Sequence, residues 1–154
     1  MALDLPLPRN VLVHGHWTMN REKMSKSTGN VVNPFFAIER FGVDTMRFFL
    51  TFQGGLSSDA NYDNAHIIRA YKKYLQQGLG NTVHRTIGVA KGDLRPFITQ
   101  GLELPETDHD REYQKGLVQL PALVEKRMGK LDPRTAIVDI TSFILMVSLH
   151  DFLQ

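Results

Sequence analysis

Lys23-Met24-Ser25-Lys26-Ser27-Thr28-Gly29-Asn30 is the stretch on which the reading of this chain turns. Its Ser, Thr, Gly and Asn residues predict a loop, because they favour turns over strand ladders and helix interiors. Two lysines three positions apart give that loop a pair of mobile point charges. Its hydroxyls and backbone N–H groups can add hydrogen bonds to an anion. Lysine suits a polyphosphate whose charge grows during a reaction, since its flexible stem lets it follow the group. The residue types are common, but the string Lys23–Ser27 is specific: a given pentapeptide occurs by chance in such a chain with probability on the order of 10⁻⁴ or less.

Before the loop, Asn10–His16 contains the apolar run Val11-Leu12-Val13, which predicts a short buried strand. Asn20-Arg21-Glu22 predicts a turn into a second extended piece at Lys23–Ser25. After the loop, Asn33-Pro34 predicts an N-cap and first position for a helix over Phe35–Phe41, stopped by Gly42. Asp44 is expected to cap the next helix, with Met46, Phe49 and Leu50 on one face and Gly54-Gly55 at its end. Asp63 or Asn64 starts a long helix carrying Ile67, Ile68, Tyr71, Leu75, Leu79, Val83 and Ile87 at helical spacing. Gly78 and Gly80 weaken it by about 1 kcal/mol each relative to Ala, or admit another backbone closely. Further helices are predicted over Asp110–Lys126 and Pro133–Phe152. The Phe143–Val147 run is apolar all round, so it must pack on more than one face. The expected fold is mainly α with a small β part: a β-containing head on a helical body.

The chain has 154 residues, enough for one domain or parts of two. With 18 Lys+Arg against 16 Asp+Glu the formal net charge is only +2, so placement must decide what the charges do. Asn64–Gly92 holds Arg69, Lys72, Lys73, Arg85 and Lys91 and no acid, a stretch fit to meet a polyanion or simply to face solvent. Glu103–Glu112 is acidic and suits the start of a helix. With no cysteine, disulfides, thiolate nucleophiles and cysteine-based zinc sites are excluded. No 18-residue apolar run is present to cross a membrane as a helix. Met1–Pro6 has neither the pattern of a signal peptide nor the Arg/Ser richness of a transit peptide.

Lys23–Ser27 is identical to the KMSKS signature of class I aminoacyl-tRNA synthetases, and its flanks resemble that family too. His14-Gly15-His16-Trp17-Thr18 with Asn20 and Lys23 resembles the strand and turn before the signature loop. Gly29-Asn30-Val31-Val32-Asn33-Pro34, then Phe41-Gly42-Val43-Asp44 and Arg47–Leu50, resemble the family's segment on the C-terminal side of that loop. Gly78-Leu79-Gly80-Asn81, with Arg85 beyond it, is similar to the first anticodon-domain helix of the methionine enzymes, of bacterial and mitochondrial type. The resemblance is close over Leu5–Gly88 and loose to Asp139.

The resemblance implies an ATP-dependent methionine–tRNA ligase, with ATP, methionine and tRNA-Met as substrates and Mg2+ accompanying ATP. Lys26 would stabilise the triphosphate as pyrophosphate leaves, and Lys23 is its catalytic partner. Lys23, Met24, Ser25, Lys26 and Ser27 together would form the ATP-binding loop, and Asn81 and Arg85 would face the anticodon. At 100° per residue Asn81 lies about 160° from Leu79, so it is expected to point outward. The family's second signature, His-Ile-Gly-His, is not met; Val13–His16 lacks its first histidine, and no metal site is expected in this chain. Trp17 is assigned to packing, and Asp44 and Arg47 to a helix cap and an ion pair.

The implied fold is the C-terminal edge of a class I Rossmann catalytic domain (1–60) joined to an incomplete helical anticodon-binding bundle (61–154), beginning mid-domain, with its final dozen residues divergent. Such a segment is expected to be catalytically incomplete by itself. The competing expectations are a stand-alone RNA-binding helical module and an inactive truncated product. The expected location is the mitochondrial matrix, with the cytoplasm as alternative.

Overall fold

The computed structural model describes residues 7–55, 58–85 and 106–150, with side chains to 148. Two short strands, β1 (Trp17–Met19) and β2 (Glu22–Lys23), form a hairpin. Asn20 and Arg21 both take positive φ, 53° and 66°. That is the backbone a two-residue hairpin turn requires, and asparagine tolerates it well. A third strand, β3 (Ala60–Tyr62), lies parallel to β1, giving the order β2-β1-β3.

The expected strand at Val11–Val13 is not formed. These residues have no regular structure and are 79%, 55% and 78% exposed. An apolar run becomes a strand only where a neighbour completes its ladder. Here the neighbours pair with Trp17–Met19 instead, with His16 O accepting from Ala60 N at 2.9 Å.

Helix α1 (Pro34–Phe41) starts as its sequence predicts: Asn33 accepts from the Phe35 N–H at 2.9 Å, and Pro34 sits in the first turn. Gly42, at φ 82°, ends it in a conformation that side chains disfavour. Helix α2 (Val43–Gln53) begins at once. Gly42 rather than Asp44 is its N-cap; Asp44 lies inside the first turn, favourable to the helix dipole but without a capping bond. Asp44 and Arg47 form no ion pair with each other or with another described residue.

Asp63 caps α3 (Asn64–Ala70) through the Ala65 N–H at 2.8 Å. The helix continues without a break as a π-helical segment, Tyr71–Gly80, then as α4 (Asn81–Val83). The observed burial corrects the apolar stripe expected from α-helical spacing, already at Ile68 in α3 and further along in the wider-wound segment. Ile67 is fully buried, and Ala70 and Gly78 are buried with it, whereas Ile68, Tyr71, Leu79 and Val83 are exposed. A π-helix takes its hydrogen bonds one residue further back, so each turn displaces the face that α-periodicity assigns.

Thr107 and Asp110 form a reciprocal capping box at the start of α5 (Asp108–Gly129). Asp132 caps α6 (Pro133–His150), accepting from the Thr135 N–H at 3.1 Å. Helix α6 packs against α5, the π-helical segment and α2. That three-sided burial accounts for its all-round apolar character. The half-buried pair Arg127–Asp139, at 3.1 Å, joins α5 to α6, and Arg134 Nε donates to Phe52 O at 3.2 Å to join α6 to α2.

The core is Ala37, Met46, Phe49, Ile67 and Ala70, flanked by Trp17, Val32, Phe41, Phe48, Tyr62 and Tyr74. Trp17 is a packing residue, its ring 5.8 Å from that of Phe49. The molecule is mostly helical with a small three-stranded sheet, as the sequence predicts at that level.

Candidate functional site: the lysine loop and the basic helix

The hairpin delivers the chain directly into the lysine loop. Asn61 on β3 holds the hairpin in place: its Oδ1 accepts from the Arg21 N–H at 3.0 Å and from Thr18 Oγ1 at 3.3 Å. The loop is closed from within by Asn30. Asn30 Oδ1 accepts from the Ser25 N–H at 2.7 Å and from Thr28 Oγ1 at 2.8 Å, while Asn30 Nδ2 donates to Lys23 O at 3.2 Å. One amide therefore joins both ends of the loop. Gly29, at φ 70°, makes the reversal, and its N–H bonds Lys26 O at 3.3 Å.

The side chains then divide by chemistry. Met24 turns inward and lines an apolar cleft of about 370 Å³ with Ile38, Met46, Leu50, Arg47 and Tyr62. Burial pushes the Tyr62 hydroxyl above its ordinary value, and the Arg40 charge partly offsets this. Ser25 and Ser27 bond each other, Oγ to Oγ, at 2.7 Å. Lys23 and Lys26 are exposed, and neither forms an ion pair with another described residue. The loop thus presents two cations from a hydrogen-bonded frame, which can receive an anion without first breaking an ion pair.

The second candidate group lies at the far end of the long helix. Asn81 is half-buried rather than fully outward. Arg85 is also half-buried, and one guanidinium nitrogen donates to Ser148 O on α6 at 3.0 Å. The structure places the two four residues apart on one continuous helical stretch. Arg69, Lys72 and Lys73 are exposed, with no ion pair among the described residues. Lys91 lies outside the described residues.

Among the described residues no three His, Asp or Glu side chains come together to hold a metal ion. No described helix is long and apolar enough to cross a membrane.

Asn30 and Asn61 are the positioning residues that sequence reasoning did not single out. Asn30 had a local signal, an amide next to Gly29 at the end of a Ser/Thr loop. Asn61 had none, because its partners lie some forty residues earlier in the chain.

Residues 1–87, more than half the chain, match the family described as tRNA synthetases class I (M). The chain belongs to this family of class I tRNA synthetases. It is 42% identical over 153 residues to the probable mitochondrial methionine–tRNA ligase of Neurospora crassa, covering 94% of this chain and 25% of that protein. It is 44% identical to the probable mitochondrial methionine–tRNA ligase of Dictyostelium discoideum, covering 97% and 26%. Among solved structures it is similar to Mycobacterium tuberculosis methionyl-tRNA synthetase in complex with methionyl-adenylate. That match has a TM-score of 0.77 and 25% identity, covering 92% of this chain and 28% of the other. The chain spans about a quarter of the length of these two relatives.

Proposed function

We propose that this chain is the signature-loop segment of a methionine–tRNA ligase, which joins methionine to tRNA-Met with ATP. The observation that carries this reading is the Lys23–Asn30 loop, in which the Asn30 amide clamps the backbone while Lys23 and Lys26 stay exposed and unpaired among the described residues. Lys26 donates to the triphosphate as methionine attacks the α-phosphorus, and its charge counts most as negative charge moves onto the departing pyrophosphate. Lys23 supplies the second charge, Ser25 and Ser27 hold the loop's shape, and Met24 anchors the loop in the apolar cleft below it.

Residues 1–60 form the edge of the catalytic domain in this reading, and 61–154 the beginning of the helical anticodon-binding domain. Strand β3 and the Arg134–Phe52 bond join the two parts. Asn81 and Arg85 face the anticodon. The names of the fungal and slime-mould relatives support a mitochondrial location.

The test is a chimera in which this segment replaces the equivalent part of a complete methionine enzyme. Lys26→Ala should lower methionine-dependent ATP–pyrophosphate exchange by two to three powers of ten, the loss of about 3–4 kcal/mol expected for one transition-state charge partner. Unchanged exchange would reduce the loop to a structural element.

A further inference from the structure

A second cavity, of about 270 Å³, lies between the C-terminal end of α2 and the junction of α3 with the π-helical segment. Its walls include Phe52, Gln53, His66, Arg69, Lys73 and Tyr74. Three kinds of chemistry meet there. Phe52 and Tyr74 are half-buried aromatics with centroids 4.5 Å apart and planes inclined at 45°, and Phe48 stacks behind Phe52 at 5.3 Å. Lys73 Nζ lies 5.1 Å from the Tyr74 ring centroid, and Arg69 stands on the same rim; neither has an acidic partner among the described residues. His66 makes no hydrogen bond to another described residue, and its Nδ1 is buried without one.

We propose that this cavity is a nucleotide subsite for an RNA strand, taking one unstacked base against the aromatic wall and the adjoining phosphates on Arg69 and Lys73. The proposal deepens the synthetase reading and rests on it, since it adds an RNA contact apart from Asn81 and Arg85. Aromatic faces beside cations are the combination that single-stranded nucleic acid uses, stacking for the base and charge for the backbone. The chain from Asn64 to Gly92 carries no acid to repel a phosphate. The cavity is smaller than the roughly 300–1,000 Å³ of sites for whole drug-sized ligands, so it suits a base rather than a complete nucleoside triphosphate.

Fluorescence anisotropy with the 154-residue chain tests this, using labelled hexauridylate and an abasic hexamer of the same length. The base-bearing hexamer should bind about tenfold more tightly, the contribution of a single stacked base. Arg69→Gln and Lys73→Gln should each reduce the salt slope by about 0.7, the value for one phosphate contact on a single strand. Equal binding of both hexamers would overturn the proposal, leaving only a basic surface. Salt slopes unchanged by both substitutions would overturn it by placing the RNA elsewhere. Competition by ATP at the hexamer's own concentration would overturn it in favour of a mononucleotide site. Phe52→Leu should abolish the difference between the hexamers; if that variant fails to fold, the abasic comparison decides alone. Base-dependent binding together with exchange unchanged by Lys26→Ala in the chimera would sink the catalytic role of the lysine loop and keep the RNA subsite. The opposite pair of results would sink the subsite only.

Discussion

Phe143 on α6 lies over Gly116 on α5 so closely that a Cβ built at position 116 would stand 2.5 Å from the Phe143 ring. The α5–α6 hairpin is therefore set by a ring packed on bare backbone. Alanine at an exposed helix position usually gains about 1 kcal/mol over glycine, but forcing extra volume into a packed contact costs about 1–3 kcal/mol. Gly116→Ala should lower the melting temperature, with a net loss of up to about 2 kcal/mol. Gly129, near the end of the same helix, has nothing within 4 Å of its would-be Cβ. Gly129→Ala should be neutral or stabilise by up to about 1 kcal/mol. Circular-dichroism melts of the two variants side by side separate packing from propensity; equal shifts would contradict a packed ring at position 116.

Asn30→Ala removes the bonds to Lys23 O, the Ser25 N–H and Thr28 Oγ1 together. Each is worth about 0.5–1.5 kcal/mol net, less where solvent replaces it. In the chimera, the loop should lose its preset shape, and pyrophosphate exchange should fall about tenfold, with part of the loss appearing as a higher KM for ATP. Asn30→Asp keeps the acceptor oxygen but loses the donor to Lys23 O, so it should fall between the two. A pair of variants indistinguishable from the parent would show that the lysines need no frame.

Asp132 is held below its ordinary value of 3.8 by hydrogen bonds from Thr135, first from its side chain and then from its backbone N–H, with smaller help from Arg127 and Arg134. A carboxylate depressed in the folded state contributes stability above its unfolded pKa and loses it as pH falls through the folded one. The start of α6 should therefore weaken below about pH 3.8 and hold its strength above it. Asp132→Asn keeps a good cap without a titrating group. Melts recorded between pH 7 and pH 2 should show a shallower acid loss for that variant; superimposable curves would remove Asp132 from the acid response.

Arg85 and Lys72 should separate two kinds of RNA binding. Arg85→Ala should erase the preference for a CAU-anticodon stem-loop over a scrambled one, a loss of roughly 1–3 kcal/mol for one base-edge contact. Lys72→Ala should weaken both loops alike and reduce the salt slope by about one unit. Because Arg85 also bonds Ser148 O on α6, its variant needs a melting control. Equal binding of both loops by the parent chain would make the helix a generic basic surface.

Much of the local structure was legible in the residues. Asn33-Pro34, Gly42, Asp63 and Asp132-Pro133 mark helix ends because capping and φ preferences act within a few residues. The lysine loop was legible for the same reason, since its turn residues and its bonds to Asn30 all lie within eight positions. The all-apolar Phe143–Val147 run likewise announced a helix buried on several sides.

What the chain could not announce were relationships made across distance. Val11–Val13 has the composition of a strand, yet a ladder needs a neighbour, and β3 chose Trp17–Met19. The π-winding of Tyr71–Gly80 moved burial to Gly78 and exposed Leu79, because α6 meets the helix through Leu145, 3.2 Å from where a Cβ of Gly78 would lie. Asn61 clamps a hairpin some forty residues away. Local sequence set the caps, the turns and the charged loop, since those depend on backbone preference and near neighbours. Only the tertiary structure decided which strand paired, which helix face was buried and what held the hairpin before the loop in place. Those outcomes depend on which distant surfaces meet, and no periodicity within one segment encodes that.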